Sequence, residues 1–283
     1  MDLRRAEEGL FKGLMLASMV LVLGSLALIL GVILVKGLPA MSLDMITQTP
    51  KGGYYLGKEG GILNAILGSL WLTLGATVLS LAIALPVVLY LNTWRDARSR
   101  LATLTRLSFD ILWGIPSIVY GAFGFTLMLL FGLRASLLAG ILAIALLMLP
   151  IMARSLDEVV RMVPRDLLEA SYALGATRWE TAVRVVVRQA LPGLVTAVLL
   201  AMGRGIGDAA AVLFTAGFTD AVPTSLLQPA ATLPLAIFFQ LGTPFPAVQA
   251  RAYASALILT VVILGISLAC RLLTRRLVKN VVR

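Results

Sequence analysis

Long apolar runs alternate with short basic segments along this chain. Uncharged stretches extend from Leu14 to Val35, Ile62 to Leu91, Ile111 to Leu133, Ala135 to Ala153 and Ala252 to Cys270. A further run, Leu191 to Gly203, continues past an ionic interruption. About 20 apolar residues cross the hydrocarbon core of a bilayer, so the pattern predicts six spanning helices. The second run is long enough to tilt or to project beyond the membrane. A seventh stretch, Ala230 to Leu241, is too short to cross and contains Pro234, which predicts a re-entrant or interfacial segment. The first run follows Arg4, Arg5 and Lys12 as a signal peptide would. Its apolar part is longer than a typical signal core and no small-residue cleavage site closes it, so it reads as a retained helix. Pro86, Pro116, Gly124 and Pro150 fall inside the runs and predict local helix distortion or tight packing.

Between the fourth and fifth runs lies a polar island with its own punctuation. Pro164 suits the first turn of a helix, and Gly175 suits its stop, where a left-handed residue is needed. Thr177, with Glu180 three residues later, predicts a capping box that opens the next helix. The expected shape is an elbow: a short helix, a glycine stop and a fresh start.

Composition agrees with the runs. With 59% hydrophobic residues, 13% charged residues and a mean hydropathy of +0.96, the chain has too little polar surface for a soluble globular domain. With both termini in the cytoplasm, eighteen basic residues fall on the cytoplasmic side. They are Arg4, Arg5 and Lys12; Arg95, Arg98, Arg100 and Arg106; Arg154, Arg161, Arg165, Arg178, Arg184 and Arg188; and Arg271, Arg275, Arg276, Lys279 and Arg283. Five fall opposite: Lys36, Lys51, Lys58, Arg134 and Arg251. The positive-inside rule therefore places the elbow in the cytoplasm.

The net charge of +10 has the same origin, with topology signals and anionic membrane lipids as its counterparts. No basic stripe with interleaved aromatics suggests nucleic acid. The single cysteine, Cys270, excludes an internal disulfide, and the lack of histidine and of carboxylate clusters argues against a metal site. Gly52, Gly57 and Lys58 imitate part of a phosphate-binding loop. The next residue is Glu59 where Ser or Thr is required, and no buried strand precedes the segment, so it reads as a glycine-rich external loop.

Candidate chemistry concentrates in the fifth run. Arg204 and Asp208 are four residues apart, and continued helical register places Thr215 on the same stripe. A charge at a helix centre costs about 2.5 to 3.5 kcal/mol on the insertion scale, so this stripe must face a partner, water or protein. Mutual neutralisation of the pair is one reading, and a cation lining an anion pathway is the other. Gly203 and Gly207 form a small-x-x-x-small pattern that would admit a neighbouring helix.

Several of these segments carry a resemblance. The elbow residues Glu169, Ala170, Ser171, Leu174, Gly175, Ala176 and Thr177 resemble the EAA loop of ATP-binding-cassette importer permeases, with Ser171 in place of the second alanine. Gly60 to Leu70, Gly114 to Gly121, and Gly203 to Asp208 followed by Leu213-Phe214-Thr215-Ala216 resemble phosphate importer permeases in order and spacing. The Leu-Phe-Thr-Ala ending favours the PstA type over its PstC-type partner. Two departures stand out: Arg188 where such permeases usually have proline, and Asp208 where they usually have glutamate.

The resemblance spans roughly residues 60 to 275. It implies an all-α membrane protein of six transmembrane helices with type I, MetI-like importer architecture. Residues 1–61 would form an N-terminal helix and external loop, 62–275 the permease domain, and 276–283 a cytoplasmic tail. It further implies a PstC-like second permease, a PstB-like ATPase dimer carrying ATP and magnesium, and a PstS-like external phosphate-binding protein, with no cofactor bound by this chain. Arg204, Asp208 and Thr215 become pathway candidates and the elbow becomes the ATPase-coupling loop. A permease for another oxyanion or small solute is the alternative. A secondary transporter should show internal repeats, which the sequence lacks.

Overall fold

The computed structural model describes residues 2–51, 59–94 and 99–277. The phosphate-loop imitation at 52–58, the basic residues Arg95 and Arg98, and the tail at 278–283 lie outside the described residues. The described chain is mostly helical; residues 207–232 run as turns and irregular backbone, and β1 (Pro50–Lys51) makes a two-residue antiparallel pairing with β2 (Glu59–Gly60). Its helices are α1 (Asp2–Gly37), α2 (Leu43–Thr47), α3 (Leu63–Thr93), α4 (Arg100–Trp113), α5 (Ser117–Leu130), α6 (Leu137–Arg161), α7 (Arg165–Ala173), α8 (Arg178–Glu180), α9 (Val187–Ile206), α10 (Leu233–Leu241) and α11 (Pro246–Leu277). A π-helical stretch, Thr181–Val186, joins α8 to α9 into one rod from Arg178 to Ile206.

Five of these helices are long and apolar enough to cross a membrane, and six spans result when the bent pair α4–α5 is taken as one. Within the run at 111–133, where Pro116 predicts distortion, the structure has a full corner, and the span begins earlier, at Arg100. α4 and α5 meet at 100°. Pro116 takes an extended ψ of 140° and starts α5, because a proline ring cannot continue the preceding helix. The corner is fastened by the Tyr120 hydroxyl, which donates to the Leu112 carbonyl at 2.7 Å. Pro86 and Pro150, by contrast, sit inside the unbroken helices α3 and α6.

Burial grades the helices. Two thirds of the apolar stretch of α6 is buried, against 44% for α3, 33% for the rod ending at Ile206 and none for α1. α6 is therefore the central post, packed on α3, α4, α5 and α9. Ile144, Met148, Met152 and Leu156 recur at helical spacing along its fully buried face. Gly121 of α5 lets the backbone at Ala210 come close, since a Cβ there would meet the Ala210 carbonyl oxygen at 2.7 Å. Gly124 likewise packs tightly, facing Ala143 and Thr215. α10 is short and largely buried, capped by Thr232 and seated against α3 and α11. α1 meets the rest near its end, where Lys36 lies over the Tyr253 ring at 4.9 Å and Gly37 abuts the Tyr253 backbone.

Candidate functional site

The elbow forms as the local sequence requires. Pro164 is the N-cap of α7, one position before the first turn, with φ −57° and ψ 132°. At the other end Gly175 adopts φ +83°, the left-handed conformation that L side chains disfavour. Its N–H donates to the Tyr172 carbonyl at 2.9 Å, and the Ala176 N–H donates to the Ser171 carbonyl at 3.2 Å. These two bonds make a Schellman motif and satisfy carbonyls that the helix end would leave open. Two residues on, the Thr177 hydroxyl accepts from the Glu180 N–H at 3.2 Å while the Glu180 carboxylate accepts from the Thr177 N–H at 3.0 Å. The predicted capping box is thus formed at both ends.

Two contacts hold the elbow to the bundle. Ser171 and Thr181 pair through their hydroxyls at 2.9 Å, so the serine at the alanine position links α7 to the π-helical stretch. Arg178 donates to the carbonyl of Trp94, the residue that ends α3, at 3.1 Å. The outer surface is apolar and open. Leu174 is 89% exposed and Trp179 65%; Ala170 and Thr177 are also exposed, Ala176 is half-buried, and Glu169 is exposed on the wall of a cavity at this end of the bundle. Arg188 stands exposed near the start of α9, and without a proline there the rod runs on uninterrupted.

In the fifth run the ion pair is present, but the stripe is not. Arg204 Nη1 lies 2.8 Å from Asp208 Oδ2, with the arginine side chain 49% exposed and the aspartate 3%. α9 ends at Ile206, so Asp208 lies beyond the helix, where its Oδ1 accepts from the Ala211 N–H at 2.9 Å. The chain then turns, and Thr215 leaves the helical register. Thr215 is fully buried, and its hydroxyl donates to the Ala211 carbonyl at 3.2 Å. It packs against Gly124 in the core and makes no hydrogen bond to Arg204. Nothing lies within 4 Å of a Cβ placed at Gly203, and at Gly207 the only residue met from another helix is Ile263, at 3.9 Å.

A second ionic cluster lies near the elbow. Asp157, fully buried on α6, accepts from Arg106 Nε at 2.8 Å through Oδ2 and from Arg106 Nη2 at 3.1 Å through Oδ1. Asn92 of α3 donates to Asp157 Oδ1 at 2.7 Å and accepts from Arg106 Nη2 at 3.2 Å. This bidentate, fully partnered geometry is what a buried charge requires. It joins α3, α4 and α6 at one point. Further along α4, Asp110 pairs with Arg154, which also meets Glu158. Among the described residues no group of three or more His, Cys, Asp or Glu side chains is placed to hold a metal.

Residues 77–282 match the sequence profile of the binding-protein-dependent transport system inner membrane component family. The chain belongs to this family. A phosphate transport system permease protein PstA of Haemophilus influenzae is 34% identical over 270 residues, covering 95% of this chain and 94% of that protein. Its counterpart in Xylella fastidiosa is 37% identical over 246 residues, covering 85% and 83%. Among solved structures, the inward-facing MetNI methionine ABC transporter superposes with a TM-score of 0.62 at 23% identity, over 76% of this chain and 95% of that one. An amino acid ABC transporter superposes at 0.56 with 18% identity, over 76% and 92%. The shared architecture is that of the MetI-type importer permease, an all-helical membrane fold.

For a member of this transport family, two features stand out. One is the exposed elbow, which sequence reading located. The other is the Arg106–Asp157–Asn92 cluster, which it missed because Arg106 was counted only as a topology charge. A signal was available: Asp157 follows buried Ala153 by four residues and precedes buried Val160 by three, which places a carboxylate on the core face of α6.

Proposed function

We propose that this chain is the permease subunit of an ATP-driven importer for inorganic phosphate, with both termini and the elbow in the cytoplasm. The observation that carries the reading is the near full-length likeness to phosphate transport permeases, 34% over 95% of the chain. In this reading the chain works beside a second, PstC-like permease, a PstB-like ATPase dimer that holds ATP and magnesium, and an external PstS-like phosphate-binding protein. It hydrolyses nothing itself and binds no cofactor.

The geometry supports separate roles for the two sites. Closure of the ATPase pair pushes on the apolar surface around Leu174, Gly175 and Trp179. Because α7 is fastened to the rod through Ser171 and Thr181, and Arg178 to the end of α3, a displacement of the elbow moves both helices. Arg204 is half exposed, and Asp208 engages one edge of its guanidinium. The remaining donors can meet a phosphate oxyanion, and the carboxylate keeps that hold weak enough for release.

The test is uptake of radiolabelled phosphate in cells lacking their own importers but supplied with this chain and its partner subunits. ATP-dependent uptake that Gly175→Arg abolishes, with the variant still inserted in the membrane, is the expected result. No phosphate uptake by the fully assembled complex, with uptake of labelled sulfate or molybdate in its place, reassigns the substrate. Uptake indifferent to Gly175→Arg overturns the coupling mechanism.

A further inference from the structure

At the elbow end of the bundle a cavity of about 400 Å³ opens between the last turns of α3 and α6 and the inner side of α7. Thr93, Arg161, Arg165, Glu169 and Tyr172 line it. Thr93 is only 9% exposed, and its Oγ1 is buried without a hydrogen-bond partner. A buried hydroxyl normally finds a partner, so an unsatisfied one on a cavity wall marks a place where a polar ligand atom fits. Arg161 and Arg165 form no salt bridge with a described residue. Two guanidinium groups against the one Glu169 carboxylate leave the wall with a positive balance.

We propose that this cavity is a second anion site, separate from Arg204, that takes a phosphate group. Forked guanidinium donors match the tetrahedral oxygens, and the Thr93 and Tyr172 hydroxyls supply two more donors. The wall is shared between α7 on one side and α3 and α6 on the other, so an occupant ties the elbow to the bundle. Glu169 opposes the anion, which keeps the hold loose and suits millimolar rather than trace ligand. Two sources offer this chemistry: free inorganic phosphate and the phosphate of an anionic lipid headgroup. The inference deepens the permease reading, because free phosphate bound there would restrain the elbow once import had filled the cytoplasm.

The experiment titrates inorganic phosphate onto the purified, nucleotide-free importer, without its binding protein, and follows ³¹P line broadening in nanodiscs of phosphatidylcholine or of phosphatidylglycerol. Binding by the parent and by Arg204→Ala, weakened about tenfold or more in Arg161→Gln/Arg165→Gln, is expected from the loss of two charge-assisted contacts. Thr93→Val removes a single oxygen at constant shape and should weaken binding severalfold, which keeps the test decisive if the double variant fails to assemble. Binding seen in phosphatidylcholine but not in phosphatidylglycerol supports the site with lipid as its occupant. Absence of binding in both membranes, insensitivity to all three substitutions, or loss of binding in Arg204→Ala overturns the proposal. Phosphate uptake by the parent is measured in parallel. Its failure with binding intact sinks the permease reading and leaves the site standing.

Discussion

At the scale of single residues, the two intramembrane aspartates ask different things of their arginines. Asp157 is fully enclosed and accepts three hydrogen bonds from Arg106 and Asn92. Removing one partner of such a pair strands a charge in the interior and typically costs about 3–5 kcal/mol. Arg106→Ala should therefore lower the thermal unfolding temperature of the detergent-purified protein clearly, whereas Arg106→Lys, which keeps charge but loses the fork, should fall between it and the parent. Arg204 is half exposed, yet its loss leaves the buried Asp208 carboxylate with the Ala211 N–H alone among the described residues, so it should cost stability as well as transport. Arg204→Ala is expected to reduce phosphate uptake more than Asp208→Glu does, since the latter keeps the carboxylate. Equal uptake by Arg204→Ala and the parent would remove Arg204 from the pathway.

At the scale of elements, the elbow shows how far local chemistry reaches. Gly175 has φ +83° and open space around it, so a side chain there meets backbone strain and no steric neighbour. Gly175→Ala should cost the elbow about 1–2 kcal/mol, and Gly175→Asn less, because asparagine tolerates the left-handed region. Thr177→Ala removes the capping box at about 1 kcal/mol. Amide hydrogen exchange across residues 165–180 should rise in each variant, with core amides of α6 unchanged; unaltered exchange would show that docking to the bundle, not the caps, holds the elbow.

These features were legible in the sequence because their partners sit three to five residues apart. The bend between α4 and α5 was not. Hydropathy runs smoothly through Gly114-Ile115-Pro116, and what fixes the two arms is distant: Arg106 and Asp110 on α6 partners, and Gly121 on the backbone at Ala210. Thr215 was misplaced for a related reason. Extending the register of α9 past Ile206 assumes that the helix continues, whereas the buried carboxylate of Asp208 caps a turn.

At the scale of the whole molecule, the distribution of basic residues makes a prediction that the packing leaves free. The bundle has two ends. One carries the elbow and the Arg106 cluster, and the other carries α2, the β1–β2 pairing and the junction of Lys36 with Tyr253. Arginine and lysine near span ends are retained in the cytoplasm, and their excess on the elbow side sets the orientation of every span at once. The chain has a single cysteine, Cys270, so Cys270→Ser gives a background without thiols. Leu174, 89% exposed on the elbow, and Leu43, 80% exposed at the opposite end, then serve as reporters. In intact cells a membrane-impermeant maleimide should label Leu43→Cys and spare Leu174→Cys, and permeabilisation should expose the second. The reverse pattern would place the elbow outside, beyond the reach of any cytoplasmic ATPase, and would remove the coupling mechanism together with the topology.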